Sequence, residues 1–223
     1  MEQIRNVRPG DEDSLAYVQT ESWKAAFREI VPADILAECT ALESTAAIYR
    51  RILDEGFGNG YLMELDGKPH CIAWWSAARD ANMAGYAELI CLHSLQENWR
   101  KGYGRAMMER VLADVKKAGY EKLVLWVFEN NTRAIQFYKS FGFEPSGRRR
   151  PALGAVEEMY SKPLRCTSIR KSRPRAAFFE KDSLRSVLWL FANSGQFDFV
   201  LLRHDWAAVN SFATLQLPRI HYR

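Results

Sequence analysis

One stretch decides the fold, and it spans residues 86–145: YAELICLHSLQENWRKGYGRAMMERVLADVKKAGYEKLVLWVFENNTRAIQFYKSFGFEP. Its first apolar run, at 86–95, predicts a strand, and the amphipathic run at 102–118 predicts a helix. The next run, at 123–128, is apolar throughout, which is typical of a strand buried on both faces. A strand, a helix and a second strand in this order predict a crossover within one sheet.

The flanking sequence completes a mixed α/β sheet. Asp66-Gly67 suits a tight hairpin turn between two antiparallel strands, because this dipeptide tolerates positive φ angles. An acidic run after Gly10 suits the start of a first helix, which we expect to end near Pro32. The remaining predicted strands are 3–7, 61–65, 70–77 and 156–161, and the remaining helices are 43–55 and 132–140.

Composition indicates a globular protein with an uneven charge distribution. The chain has 223 residues, of which 48% are hydrophobic and 26% charged, and these values exclude wholesale disorder. Residues 1–164 hold 21 Lys and Arg against 23 Asp and Glu, whereas residues 165–223 hold 10 against 4. The net charge of +4 therefore comes from the last quarter of the chain.

The cysteines and the apolar runs limit the function classes further. Cys39, Cys71, Cys91 and Cys166 are widely spaced and form no C-x-x-C pair, so we expect reduced thiols and no metal site. No window approaches the roughly 18 apolar residues of a membrane-spanning helix. The first residues lack the apolar core of a signal peptide, and we therefore expect a cytoplasmic protein without a membrane partner.

A glycine turn, WRKGYGR at 99–105, lies between the predicted strand and helix. Gly102 and Gly104 allow a ligand close to the backbone, and the free N–H groups of the helix start favour an anion. Arg100, Lys101 and Arg105 add positive charge, so the turn predicts a pyrophosphate site. A dinucleotide G-x-G-x-x-G motif would need glycine where Met107 stands, and no P-loop motif occurs.

Three segments carry a resemblance to a known family. The turn at 99–105 matches the pattern Q/R-x-x-G-x-G/A, except that Trp99 occupies the Q/R position. Downstream, NTRAIQFYKSFGF at 131–143 matches N-x-x-A-x-x-F-Y-x-x-x-G-F, and upstream SWKAAF at 22–27 with Pro32 matches S-W-x-x-A-Y…P. Together these segments resemble the GNAT superfamily of N-acetyltransferases, of the bacterial type, over residues 3–164.

The resemblance implies a fold, an activity and partners. The GNAT fold is a mixed, mostly antiparallel α/β sheet with a strand-helix-strand crossover and helices on both faces, and we expect it at 1–164. The activity implied is transfer of an acetyl group from the co-substrate acetyl-coenzyme A to a primary amine, by direct attack in a ternary complex. The acceptor would be a small-molecule or peptide amine, and the chain could form a homodimer.

The resemblance also assigns roles to residues. Tyr138 would face the cofactor sulfur and protonate the leaving thiolate, since a phenol can give a proton to a thiolate held in contact with it. The cofactor-binding residues that it implies are Leu92, His93 and Ser94 through their backbone, with Arg100, Lys101, Gly102, Tyr103, Gly104, Arg105, Asn131 and Tyr138. Core packing of Tyr138 and helix capping by Asn131 are the structural alternatives.

The base that deprotonates the amine has three candidates. Glu88 lies fourteen positions before Gly102, where several GNAT enzymes carry a catalytic glutamate, and His93 and an ordered water are the alternatives. Strict alternation places Cys91 and His93 on one face of the strand and Glu88 on the other, unless a bulge shifts the phase. Cys91 with His93 could also form a thiol nucleophile and its base.

The acceptor pocket is only loosely indicated. Trp74 and Trp75, with Trp23, Phe27 and Glu29 at the end of the first helix, could line a pocket for an amine, because cations bind well to indole faces. The same residues are also typical of a core.

Residues 165–223 form a basic C-terminal extension without recognisable family pattern. A helix at 184–192 and a strand at 197–202 are predicted, and the extension would pack on the main domain or mediate dimerisation. The alternative function is a nucleic-acid-binding module that uses this extension, with Arg148, Arg149 and Arg150 adding charge and the GNAT-like region serving as a scaffold.

Overall fold

The structure is a computed structural model that describes residues 2–164 of the 223-residue chain. In this range the chain forms seven strands and five α-helices. The strands are β1 (Glu2–Asn6), β2 (Asn59–Leu65), β3 (Lys68–Ala77), β4 (Tyr86–Ser94), β5 (Lys122–Phe128), β6 (Glu144–Ala152) and β7 (Ala155–Pro163). The helices are α1 (Glu12–Phe27), α2 (Ala33–Cys39), α3 (Leu42–Glu55), α4 (Tyr103–Lys117) and α5 (Thr132–Ser140).

Two elements, α2 and β6, do not follow from the sequence patterns. The first helix ends at Phe27 and not near Pro32, because the Phe27 carbonyl accepts hydrogen bonds from the N–H groups of Ile30 and Val31 in a turn. Pro32 instead stands at the N-cap of α2. Strand β6 is an edge strand whose residues are mostly exposed, so it lacks the apolar alternation that identifies a half-buried strand.

The strands form one sheet in the order β1-β2-β3-β4-β5-β7-β6. Every neighbouring pair is antiparallel except β4 and β5, which are parallel and are joined through α4. The predicted mixed α/β class with one strand-helix-strand crossover is therefore confirmed.

Helices cover both faces of the sheet, as predicted. On one face, α4 packs Met107, Val111 and Val115 against Leu89 and Leu125, and residues of α5 lie at the margin of this cluster. On the other face, α1 and α3 pack against β2 and β3 through a cluster that includes Leu15, Tyr49 and Trp74. A smaller cluster continues this second face, where Phe27 and Leu36 pack near Phe128.

A β-bulge at Ile90 changes which side chains of β4 share a face. Trp74 pairs with Cys91 but Trp75 pairs with Leu89, so Ile90 has no direct partner on β3. Ala87, Leu89 and Leu92 belong to the cluster under α4, whereas Ile90 and Cys91 belong to the cluster under α1 and α3. Glu88 therefore lies on the same face as Cys91 and His93, and the strict alternation that separates them is wrong.

The parallel pair β4 and β5 comes apart halfway along its length. The paired register runs from Tyr86 with Lys122 to Leu89 with Leu125 and ends there, although β4 continues to Ser94 and β5 to Phe128. The edge of residues 90–94 that faces β5 consequently has no strand partner in the described part of the chain. This gap positions the candidate site.

The predicted helix at 184–192, the predicted strand at 197–202 and the role of the basic extension lie outside the described residues. Within residues 2–164, none of the helices has the length and apolar character needed to span a bilayer.

Candidate active site

A cavity of about 630 Å³ lies where β4 and β5 separate. Trp23 and Phe27 of α1 line it from one face of the sheet, and Phe137 and Tyr138 of α5 line it from the other. The gap between the strands therefore connects the two faces, so that two molecules could meet inside the sheet from opposite sides.

The turn before α4 forms the basic end of this cavity. Gly102 has a φ of 95° and Arg100 a φ of 65°, and this left-handed backbone turns the chain into the helix. Arg100, Gly102, Gly104 and Arg105 line the cavity. A Cβ on Gly104 would stand 3.6 Å from the Phe137 ring, inside the space beside the first helical turn.

Two residues of the predicted anion site lie outside the cavity lining. Lys101 donates a hydrogen bond from Nζ to Asn98 Oδ1 at 2.9 Å on the surface. Tyr103 turns inward, where its ring lies 4.8 Å from that of the buried His70. Of the six residues of the turn that were predicted to bind the cofactor, four therefore line the cavity and two do not.

Arg133 of α5 is a cationic residue at this end that the sequence patterns did not identify. Its guanidinium lies over the ring of Trp99, the residue at the Q/R position, and both residues line the cavity. Burial and the nearby charge of Arg100 lower the pKa of Arg133. Neither arginine has a carboxylate partner within residues 2–164, which leaves two positive charges at the same mouth.

Tyr138 lines the cavity from the end of α5. Its ring packs on Phe137 and Phe143 at centroid distances of 5.5 and 5.9 Å, and its hydroxyl makes no hydrogen bond in the described part of the chain. Burial raises the pKa of this phenol, and the neighbouring thiols Cys91 and Cys71 raise it further. Tyr138 is therefore both a packed residue and a cavity-lining group that is protonated at neutral pH.

Asn131 caps its own helix and also lines the cavity. Its Oδ1 accepts a hydrogen bond from the backbone N–H of Ala134 at 3.2 Å, which is the N-cap arrangement. The cap uses only the oxygen, so the amide Nδ2 remains available as a donor.

Leu92, His93 and Ser94 all line the cavity along the unpaired edge of β4. His93 Nε2 accepts a hydrogen bond from Trp23 Nε1 at 3.1 Å. Burial lowers the pKa of His93 to about 4, so the ring is neutral at physiological pH. Since the indole donates to Nε2, the ring proton is on Nδ1, and no basic nitrogen is left free.

Glu88 is not brought to the cavity. Its carboxylate forms an ion pair with the Arg79 guanidinium and accepts a hydrogen bond from the Arg79 backbone N–H at 3.2 Å, and the residue is 4% exposed. Burial alone would raise the pKa of Glu88, but the Arg79 hydrogen bonds and charge outweigh it and hold the pKa below its usual range.

Cys91 shares its face of β4 with His93 and lines the cavity, but the two do not form a nucleophile pair. Burial raises the pKa of the Cys91 thiol to about 12, and the lone pair of His93 is engaged by Trp23. A thiolate, which is the reactive form, is therefore scarce at neutral pH.

Glu157 and Trp126 are cavity residues that the sequence patterns do not identify. Glu157 on β7 lies opposite Phe128 on β5 and opposite Arg150 on β6. Trp126 precedes Phe128 by two residues on β5, on the same face. The predicted strand at 156–161 contains Glu157, but the sequence offers no register between this strand and β5, and only that register places Glu157 beside the end of β5.

The predicted acceptor residues are divided among the cavity, the core and the surface. Trp23 and Phe27 line the cavity. Trp74 and Trp75 are buried, with their indole N–H groups donating to the Phe57 carbonyl and the Tyr61 hydroxyl. Glu29 pairs with Arg28 at the surface.

The three consecutive arginines all have acidic partners. Arg148 pairs with Asp80, Arg149 with Glu129 and Arg150 with Glu157. Among residues 2–164, no cluster of His, Cys, Asp and Glu has the arrangement of a metal site.

Comparison with known proteins places these features in context. The family model described as "Acetyltransferase (GNAT) family" matches residues 23–143. An uncharacterized N-acetyltransferase of Bacillus subtilis, YuaI, is 26% identical over 141 residues, which are 63% of this chain and 79% of the relative.

Solved structures show the same fold. The PaiA N-acetyltransferase of Thermoplasma acidophilum, crystallised in complex with coenzyme A, is 20% identical, with a TM-score of 0.61 over 73% of this chain and 99% of its own. The protein yncA of Salmonella typhimurium, solved with its cofactor acetyl-CoA, is 14% identical, with a TM-score of 0.58 over 77% of this chain and 99% of its own.

Proposed function

The chain belongs to the acetyltransferase (GNAT) family, and from this premise we propose that it transfers the acetyl group of acetyl-coenzyme A directly to a primary amine in a ternary complex. The separation of β4 from β5 beyond Leu89 and Leu125 carries the proposal. It supplies an unpaired strand edge for an extended ligand and a cavity that both substrates can enter.

The residues around the cavity fit coenzyme A at its anionic and its amide-containing parts. Arg100, Arg105 and Arg133 with the N–H groups of the α4 start would hold the phosphates, because a helix N-terminus and arginines both favour anions. The edge of residues 90–94 would hydrogen-bond the amides of the pantetheine arm in the manner of an added strand. Asn131 would contribute its free amide hydrogens.

Tyr138 has the properties of the acid that protonates the leaving group. When bound, acetyl-coenzyme A supplies an activated thioester whose sulfur must gain a proton as the acetyl group leaves. The raised pKa of Tyr138 keeps its proton in place until it is needed, and the absence of an internal hydrogen bond, within the described residues, leaves the hydroxyl free to reach the sulfur.

Direct transfer is favoured over an acetylated enzyme. Two thiols line the described cavity, Cys39 and Cys91, and burial raises the pKa of Cys39 to about 11 and that of Cys91 to about 12, so both stay protonated at neutral pH. His93, the predicted base for Cys91, is neutral and accepts the Trp23 hydrogen bond, so it would not remove the thiol proton.

Neither side chain predicted as the base has a free lone pair facing the cavity. Glu88 is held by Arg79, and His93 is held by Trp23. We therefore assign the ion pair of Glu88 a structural role and seek the proton acceptor among other groups of the cavity wall.

The test is titration of the full chain with coenzyme A by isothermal calorimetry. We expect one site with a dissociation constant well below millimolar, and acetyl transfer from acetyl-coenzyme A to a primary amine followed as release of free thiol. The absence of binding up to about a millimolar coenzyme A would overturn the proposal.

A further inference from the structure

The end of the cavity remote from the arginines is aromatic and contains one carboxylate. Trp23, Phe27, Trp126 and Phe128 line this end, together with Glu157. Glu157 is the single acidic side chain that lines the cavity within residues 2–164. We call this region, defined by these five residues, the aromatic pocket.

One of the two carboxylate oxygens of Glu157 is bound by Arg150. Its Oε2 lies 2.8 Å from Arg150 Nε and 2.7 Å from Arg150 Nη2. Its Oε1 receives no hydrogen bond from the part of the chain that the structure describes, and the side chain is 13% exposed. One carboxylate oxygen is therefore anchored and the other is free for a ligand in the cavity.

Arg150 is itself fixed by the pocket wall. Its guanidinium lies over the Trp126 ring, with Cζ 4.1 Å from the ring centre. A cation on an indole face is held by the ring's electrostatic field, so the arginine keeps Glu157 in place without filling the cavity.

We propose that Glu157 binds the ammonium group of the acceptor and then removes its proton, and that the acceptor is a monoamine with an aromatic or apolar body. This inference rests on the proposed acetyl transfer. It assigns the base to β7, on the opposite side of β5 from the predicted candidates Glu88 and His93.

The charges favour a single ammonium group. Glu157 carries one negative charge that Arg150 already compensates in part, and the other charged cavity residues within 2–164 are the arginines of the phosphate end. A second ammonium group would find no carboxylate in the described cavity wall. The four aromatic side chains instead offer apolar surface and ring faces, which suit an uncharged body beside a cation.

Two side chains, Glu157 and Tyr138, carry out the proton transfers that the reaction needs. Glu157 takes one proton from the ammonium nitrogen, and the nitrogen lone pair forms a bond to the acetyl carbon as the carbon–sulfur bond breaks. Tyr138 gives its proton to the sulfur and regains one from the nitrogen through solvent, while Glu157 releases its proton to solvent. The products are an amide, a thiol and one proton.

The electrostatic surroundings of Glu157 agree with this role. Burial raises its pKa, the charges of Arg150 and Arg79 lower it, and the nearby Glu88 raises it, with a net shift upward from the ordinary glutamate value. A base with a raised pKa binds a proton more readily at neutral pH. These are the charged groups that act on Glu157 from β6, from the segment after β3 and from β4.

The experiment compares Glu157→Gln with Glu158→Gln in the full chain. Glu158 is the adjacent glutamate on the other face of β7 and does not line the cavity, so it is the matched control. The probe is 2-phenylethylamine, with 1,4-diaminobutane as the dicationic comparison. Coenzyme A affinity, measured for each variant, reports whether the fold and the phosphate end are intact.

For the wild type we expect kcat/KM to be at least about tenfold higher for 2-phenylethylamine than for the diamine. We expect Glu157→Gln to lower kcat/KM about 100-fold at pH 7, since a general base contributes 10² to 10⁴ in rate. In this variant kcat/KM should rise about tenfold per pH unit around pH 7, because only the free amine reacts. The wild-type kcat/KM should be constant over the same pH range. Glu158→Gln should stay within about twofold of the wild type.

Four results would contradict the inference, and the last of them can be obtained even if the protein transfers no acetyl group. A wild-type rate and pH profile in Glu157→Gln would overturn the base, and equal or better use of the diamine would overturn the acceptor class. If Glu157→Gln is unstable, Glu157→Asp replaces it in the test. This variant should keep the fall in rate at low pH that protonation of the carboxylate causes, and a pH profile without that fall also contradicts the role. If no transfer occurs at all, 2-phenylethylamine titrated into the coenzyme A complex should still bind the wild type and not Glu157→Gln; binding to both contradicts the inference.

Discussion

The guanidinium carbon of Arg133 lies 3.0 Å from the centre of the Trp99 ring, and this stacking joins α5 to the turn before α4. Trp99 is anchored in turn, because its Nε1 donates to the Ser94 carbonyl at 2.8 Å. Trp99, at the position where the family pattern has glutamine or arginine, therefore supplies a ring on which a cation stacks. The positive charge comes from Arg133 of α5. The charge is retained although the motif residue differs.

Arg133→Ala should weaken coenzyme A binding by about 10- to 100-fold, because a hydrogen bond to a charged group contributes about 1.5 to 3 kcal/mol. Calorimetry with coenzyme A measures this change. Lys139→Ala is the control, since Lys139 is an exposed cation on the same helix that does not line the cavity. Equal losses in the two variants would mean that Arg133 acts only through the overall charge.

Tyr138→Phe should lower kcat by about 100-fold or more and leave the dissociation constant of coenzyme A nearly unchanged, because the ring still packs while the proton donor is lost. Tyr103→Phe should retain kcat, because Tyr103 is a half-buried tyrosine that packs on His70 outside the cavity lining. Steady-state kinetics and calorimetry on both variants separate the two roles. An unchanged kcat in Tyr138→Phe would exclude it as the acid.

Cys91→Ala should keep kcat within about threefold of the wild type, because the thiol, with a pKa of about 12, takes no part in the transfer. Some loss of stability is expected, since the residue is buried. Intact-mass measurement of the wild type after mixing with acetyl-coenzyme A should detect no acetylated protein. A transient acetylated species that disappears in Cys91→Ala would contradict direct transfer.

The free energy of unfolding should fall as the pH drops from 6.5 toward 4, because His93 has a pKa of about 4 in the folded protein and about 6.5 when unfolded. The unfolded chain binds the extra proton in this window, so the stability supplied by neutral His93 is complete above pH 6.5. The change is at most about 3 kcal/mol. Urea unfolding at pH 7, 6 and 5 measures it.

His93→Gln is the control for this pH dependence. The amide can accept the Trp23 hydrogen bond but does not titrate, so the slope between pH 6.5 and 4 should be smaller in the variant. Burial also lowers the pKa of His70, which gives a slope of the same sign in both proteins and cancels in the comparison. Identical slopes would show that His93 does not titrate in this window.

The sequence predicts most of the fold because the strongest signals are local. The apolar run that became β5, the helical pattern of α4 and the caps of α5 each depend on a few neighbouring residues. Strand β6 has no such signal, since its residues are mainly exposed and it is recognised only through pairing with β7. The turn at the end of α1 depends likewise on hydrogen bonds that no composition rule anticipates.

The site was harder to predict where distant segments meet. Gly102, Gly104, Asn131 and Tyr138 each belong to a local sequence motif, and all four line the cavity. Glu88 matched a motif spacing, but its environment depends on Arg79, which the β3–β4 hairpin brings back to it. Glu157 is the opposite case, because its strand pairs at the end of β5 and no local pattern gives that position.

The short junction between β4 and β5 has a mechanical consequence. Four residue pairs, from Tyr86 with Lys122 to Leu89 with Leu125, join the two halves of the sheet directly. Among the described strands, β4 and β5 share the fewest residue pairs of any neighbours, and we expect a ligand that bonds to residues 90–94 to stiffen the sheet there. Amide hydrogen exchange at residues 90–94 should therefore slow while such a ligand is bound.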